Sequence, residues 1–159
     1  MFDFKIEAAD KATMYRDLAS ALEGLIAGES DAIANMANAS GLIYETLPDV
    51  NWVGLYRNVG DELVLGPFQG RPACIRMTFE QGVCGAAAKT RQVQRVEDVH
   101  AFPGHIACDS ASNSEIVVPL IRDGKVLGVL DIDSPKHGRF DEEDEAGVVK
   151  LGEILSRVL

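Results

Sequence analysis

The chain has 159 residues, an apolar fraction of 47%, and 25 acidic against 15 basic side chains, giving a formal net charge of −10. That length suits one domain, expected to span residues 1–159. The charge excludes nucleic acid as a partner, because phosphate binding runs on clustered Lys and Arg, but it favours a small cation such as an amino acid's ammonium group.

Residues 10–27 carry Met14, Leu18, Ala21, Leu22, Leu25 and Ile26 at helical spacing, with Gly28 as the stop. A second helical pattern covers 30–47, with Ser30 as N-cap and Ile33, Met36, Ala37 and Ile43 as its stripe until Pro48. The period then changes to two. Asn51–Arg57 sets Trp52, Gly54 and Tyr56 on one face and Val53 and Leu55 on the other. A turn at Asn58–Asp61 and a return over Glu62–Gln69 complete a hairpin, made irregular or edge-like by Pro67. Gly82–Lys89 is a short alanine-rich helix, and Gln92–Val96 a short strand. His100–Ser114 is the longest loop, a place where function concentrates. Glu115–Arg122 and Lys125–Asp133 are strands joined by Asp123-Gly124, the strongest hairpin signal in the chain. Phe140–Leu159 closes it as a helix capped by Asp141, with Asp144 three residues on and Val148, Leu151, Leu155 and Val158 inward. Helices at both ends of mostly antiparallel strands make the fold α+β, with helices on one sheet face.

No apolar run approaches the ~20 residues needed to cross a bilayer. The stretch MFDFKIEAADK has no basic segment leading into an apolar one, so neither a signal peptide nor membrane binding is expected. The expected location is cytoplasmic, where thiols stay reduced and cysteines serve catalysis, metal binding or packing more than structural disulfides. The three cysteines are Cys74, Cys84 and Cys108, and no C-x-x-C pair exists among them. Cys84 sits on the apolar GVCGAAA helix, where a core role is expected. Cys74 lies between Arg71 and Arg76, cations that lower a thiol pKa. Cys108 lies in the long loop among small residues that leave its sulfur reachable. A zinc site of His100, His105 and Cys108 matches no known ligand spacing, so no metal is expected.

The acids sharpen this reading. Leu127, Val129, Asp131 and Asp133 alternate onto one strand face, against Val126, Gly128, Leu130 and Ile132. Across the hairpin turn the strand partner begins at Glu115, which places all three carboxylates at one sheet end. Three such groups in a partly apolar pocket cannot all ionise freely, so at least one holds a proton near neutral pH. A protonated acid beside a reachable thiolate suits reduction of a polar S=O group, the remaining charge suits an ammonium, and Trp52 with Tyr56 suits a methyl or thioether wall.

NWVGLY, LGPFQGRPACIRM, GVCGAAA, FPGHIACDSASNSEIVVPL and GVLDIDSP together resemble the free methionine-(R)-sulfoxide reductases, stand-alone GAF-domain enzymes, over about residues 30–157. The resemblance implies a six-stranded antiparallel sheet flanked by helices, often in a homodimer. It implies reduction of free methionine-(R)-sulfoxide to methionine without a bound cofactor, with electrons from thioredoxin, itself recharged by NADPH through thioredoxin reductase. By the same resemblance Cys108 is the nucleophile that becomes a sulfenic acid, Cys74 the thiol that resolves it as a disulfide, and Cys84 an auxiliary thiol. Glu115, Asp131 and Asp133 hold the sulfoxide oxygen and the amino group, and Trp52 and Tyr56 line the methyl end. The competing readings are a GAF module that binds a small ligand without chemistry, and a thiol-based oxidant sensor.

Overall fold

The computed structural model describes residues 5–106 and 108–159. The opening MFDF, and Ala107 within the long loop, lie outside the described residues. The elements follow in the order α1 (Lys11–Ile26), α2 (Ala32–Thr46), β1 (Trp52–Asn58), β2 (Glu62–Gln69), β3 (Arg76–Thr78), α3 (Gly82–Thr90), β4 (Gln94–Val96), β5 (Ser114–Arg122), β6 (Lys125–Ser134) and α4 (Glu142–Leu155). One 3₁₀ turn over Val99–Ala101 interrupts the loop between β4 and β5.

The strands form one antiparallel sheet in the order β3-β2-β1-β6-β5-β4. The Asp123-Gly124 turn works as the sequence implies, because both residues take the left-handed backbone that a tight hairpin needs, at φ 51 and 74. Pro67 is tolerated because β3 pairs only with Glu62, Leu63 and Val64, leaving the far half of β2 without a ladder partner on that side.

Alternation along the strands divides the interior in two. Val53, Leu55, Ile116, Val118, Leu120, Leu130 and Ile132 face α1, α2 and α4, where Leu18, Leu22, Ile43, Val148 and Leu151 are fully buried. Each such Leu or Ile stabilises by about 1.5–3 kcal/mol relative to exposure. Trp52, Tyr56, Val117 and Val129 face the opposite side, where α3 packs through Val83, Cys84 and Ala87. The helices therefore occupy both faces of the sheet, not the single face expected. The short apolar α3 covers the second face only in part, and the loops after β2 and β4 cover the rest.

Three local expectations are corrected. The α2 N-cap is Asp31, whose carboxylate accepts from the Ala34 N–H at 2.9 Å, in place of Ser30. The buried stripe of α2 runs through Met36, Ala39, Ser40 and Ile43, which turns Ile33 and Ala37 outward. Near the hairpin tip Val126 packs with the α3 side and Leu127 with the opposite core, the reverse of simple alternation. A register shift between Leu120 and Ile121 is the cause, since an unpaired residue flips every side chain beyond it.

Asp141 and Asp144 form a reciprocal capping box at the start of α4. Asp144 is fully buried and also accepts from Lys11 Nζ at 2.8 Å, Arg139 Nη1 at 3.0 Å and Tyr15 Oη at 2.8 Å, tying α4 to α1. Among the described residues no helix is long and apolar enough to cross a membrane.

Candidate active site

The register of the central strands places the acids. On β6, Asp133 lies opposite Trp52 of β1 on one side and Glu115 of β5 on the other. Asp131, two residues earlier, lies between Gly54 and Val117. All three carboxylates thus share the sheet face that α3 covers, though Glu115 pairs with Asp133 and stands diagonal to Asp131.

Gly54 explains how an aromatic wall stands beside them. A Cβ at that position would collide with the Trp52 ring and come within 2.5 Å of Phe68 Cβ. Trp52 therefore lies across the space that a side chain would fill, stacked on Phe68 at 5.3 Å and on Tyr56 at 6.0 Å between ring centroids. Both wall residues also use their polar ends. Trp52 Nε1 donates to the Arg71 carbonyl at 3.1 Å, and Tyr56 Oη donates to the Cys74 carbonyl at 3.0 Å. The two donors grip both ends of the irregular segment that carries Cys74.

Cys74 and Cys108 are joined as a disulfide with Cα atoms 5.6 Å apart, within the range that a bridge spans without backbone distortion. Both are half-buried. The Cys108 loop is held by Asn51, whose Nδ2 donates to Asp109 Oδ2 at 3.2 Å and to Ser112 Oγ at 3.1 Å. Arg71 reaches Asp109 at 3.9 Å from the other segment.

Cys108 of the bridge joins Trp52, Tyr56, Cys84, Glu115, Asp131, Asp133 and His105 in lining a cavity of about 40 Å³. Cys84 is buried, as expected of a core residue, but it is not simply packed in apolar surroundings. Its Sγ lies 3.3 Å from Asp131 Oδ2, to which it donates, and 3.9 Å from Glu115 Oε1. The apolar helix motif concealed this, because the carboxylates that meet the thiol are supplied by strands 31 and 47 positions away.

Burial raises every acidic group at this floor. Glu115 is pushed well above the usual carboxyl range, first by desolvation, then by the charges of Asp131 and Asp133. Asp131 rises to about 6 through desolvation, held down partly by its bonds with Cys84 and Glu115. Asp133, which keeps some contact with solvent, is raised by desolvation and by the charges of Asp131 and Asp109, opposed by Ser112. The Cys84 thiol is likewise pushed up by burial and then by Asp131 and Glu115. Burial and mutual repulsion thus favour the protonated forms in this cluster, which can donate a proton to an oxygen seated against it.

The chain matches the GAF domain family over residues 36–159. It is 53% identical to the free methionine-R-sulfoxide reductase of Escherichia coli, over 94% of this chain and 91% of that protein. It is 44% identical to the Saccharomyces cerevisiae free methionine-R-sulfoxide reductase, over 93% of this chain and 87% of that one. The Neisseria meningitidis free methionine-R-sulfoxide reductase, solved in complex with its substrate, superposes with a TM-score of 0.95 at 45% identity, covering 99% of this chain and 95% of that one.

The chain belongs to the GAF-domain free methionine-R-sulfoxide reductases.

The residues that sequence reasoning picked out for a reductase of this family converge on one place. Cys74, Cys84, Cys108, Glu115, Trp52, Tyr56, Asp131 and Asp133 all line or close the same cavity. Four further residues lay outside that selection. Asn51, Asp109 and Ser112 position the Cys108 loop, and His105 lines the cavity, its pKa lowered by burial and by His100. Asn51 was detectable only as a polar residue opening an otherwise apolar strand. The role of Asp109 and Ser112 required knowing where the loop folds back.

Proposed function

We propose that this protein, acting as one domain over residues 1–159, reduces free methionine-(R)-sulfoxide to methionine. The observation that carries this reading is the Cys74–Cys108 bridge, whose Cys108 lines one cavity with Glu115, Asp131 and Asp133, carboxyl groups that burial pushes toward their protonated forms. The family relatives named above support the substrate.

In the reduced enzyme the Cys108 thiolate attacks the sulfoxide. A bond forms between Cys108 Sγ and oxygen as the substrate's S–O bond breaks, and Glu115 supplies a proton to that oxygen. Methionine leaves with two more electrons on sulfur, and Cys108 remains as a sulfenic acid. The Cys74 thiolate then attacks Cys108 Sγ and displaces hydroxide, which departs as water after protonation. One sulfoxide and two thiols yield one methionine, one disulfide and one water. Asp131 and Asp133 hold the substrate's ammonium, and Trp52 with Tyr56 receive its methyl end. Cys84 tunes the floor through its bond to Asp131.

Thioredoxin reopens the bridge by thiol–disulfide exchange, drawing on NADPH through thioredoxin reductase, in the cytoplasm. Cys74 and Cys108 are only half-buried, which suits such an attack. No bound cofactor takes part, and the working form is a homodimer.

A thioredoxin-coupled assay on separated free sulfoxides tests the proposal. NADPH oxidation with the R epimer and none with the S epimer is expected. Equal rates with both, or consumption with neither, would overturn it.

A further inference from the structure

We propose that Cys84, Glu115 and Asp131 form a binding site for a thiophilic divalent cation of the zinc–cadmium class at the floor of the cavity. The three residues come from α3, β5 and β6, and each offers one donor atom, all within 4.8 Å of one another. In a tetrahedral zinc site, with Zn–S about 2.3 Å and Zn–O about 2.0 Å, a sulfur and an oxygen ligand stand about 3.5 Å apart. Here Cys84 Sγ is 3.3 Å from Asp131 Oδ2 and 3.9 Å from Glu115 Oε1, so the donors straddle that separation before any ion draws them together.

A second feature points independently to a ligand. Asp131 is only 6% exposed and lines the cavity, yet its Oδ1 has no hydrogen-bond partner among the described residues. A buried carboxylate oxygen without a donor is costly, and a dication at this point offsets that cost. The cavity's 40 Å³ holds an ion with a water or two, which supplies the fourth position of a tetrahedron. The donor set decides which cations enter. A thiolate with two carboxylates suits zinc or cadmium, whereas magnesium and calcium demand six or more oxygens.

Binding changes no oxidation state. The thiol proton and the proton held among the carboxyl groups leave to buffer as the metal–sulfur and metal–oxygen bonds form. The Cys74–Cys108 bridge leaves Cys84 free, so the site is present with the redox pair joined. A cation seated there occupies the carboxylates that the proposed substrate's ammonium and oxygen would use. That competition rests on the reductase reading, but the binding does not.

The bridged protein gives a clean test, because Cys84 is then the free cysteine of the chain's three. It is titrated with Cd²⁺ in a non-coordinating buffer near neutral pH, and the ultraviolet thiolate-to-cadmium charge-transfer band is followed. The expected result is a band that saturates at one equivalent and is removed by competing Zn²⁺. Asp131→Asn and Glu115→Gln, each checked for folding by circular dichroism, weaken the apparent affinity by about tenfold or more. Absence of the band overturns the site. So does a band of unchanged affinity in both variants, which would mean a lone thiolate catching metal. No turnover is measured, so a protein that reduces the sulfoxide but shows no band refutes the cation site alone.

Discussion

Replacing Asp131 by Asn should stabilise the bridged protein, and more so as pH rises. Burial disfavours the Asp131 charge and pushes its pKa up from an ordinary 3.8 to about 6. The folded state therefore binds more protons than the unfolded state between those values, and stability falls as pH increases through that window. Linkage across that window puts the full cost at about 3 kcal/mol at pH 8 and roughly half of that at pH 5. Asparagine keeps the shape and still accepts from Cys84 Sγ, but it never ionises. It also removes the charge that raises Glu115 and Asp133, which adds to the gain. Urea unfolding of wild type and variant at the two pH values measures this directly. The expected gain at pH 8 is about twice that at pH 5. An equal gain at both, or a loss at pH 8, would refute the argument that desolvated charge strains this floor.

The proton donor is testable by a pH–rate profile. Wild-type kcat/KM should rise with thiol ionisation and then fall as Glu115, raised by its burial, loses its proton, while Glu115→Gln should lack the falling limb; matching profiles would assign the donation elsewhere. Tyr56→Phe removes the donor to the Cys74 carbonyl, so a sulfenic acid trapped by dimedone should persist longer while the first-turnover release of methionine is unchanged. Unaltered trapping would show that the hydroxyl does not position the resolving thiol. Asp144→Ala strips Lys11, Arg139 and Tyr15 of their shared buried partner and should cost about 3–5 kcal/mol in urea unfolding.

What the sequence disclosed depended on how local the information was. β1, β5, β6 and α4 were legible because alternation, the Asp123-Gly124 turn and the Asp141 cap are written within a few residues. β3 was not, since three residues carry no usable period and exist as a strand only by pairing with β2. The acid cluster was legible because Asp131 and Asp133 break an apolar strand face. The place of Cys84 was not, because its own helix reads as core and its polar neighbours arrive through tertiary packing. Likewise Trp52 and Tyr56 were visible as a wall, but their grip on the Cys74 segment depends on a loop whose path has no local signature.

The central claim is that one sulfoxide oxygen is transferred to Cys108 and discharged through Cys74. Fully reduced protein mixed with one equivalent of free methionine-(R)-sulfoxide, without thioredoxin, tests it most directly. Quantified methionine and peptide mapping of the alkylated product should show one methionine per chain and a Cys74–Cys108 bridge, with Cys84 recovered as a free thiol. No methionine, or a bridge that engages Cys84 in place of Cys74, would contradict the account.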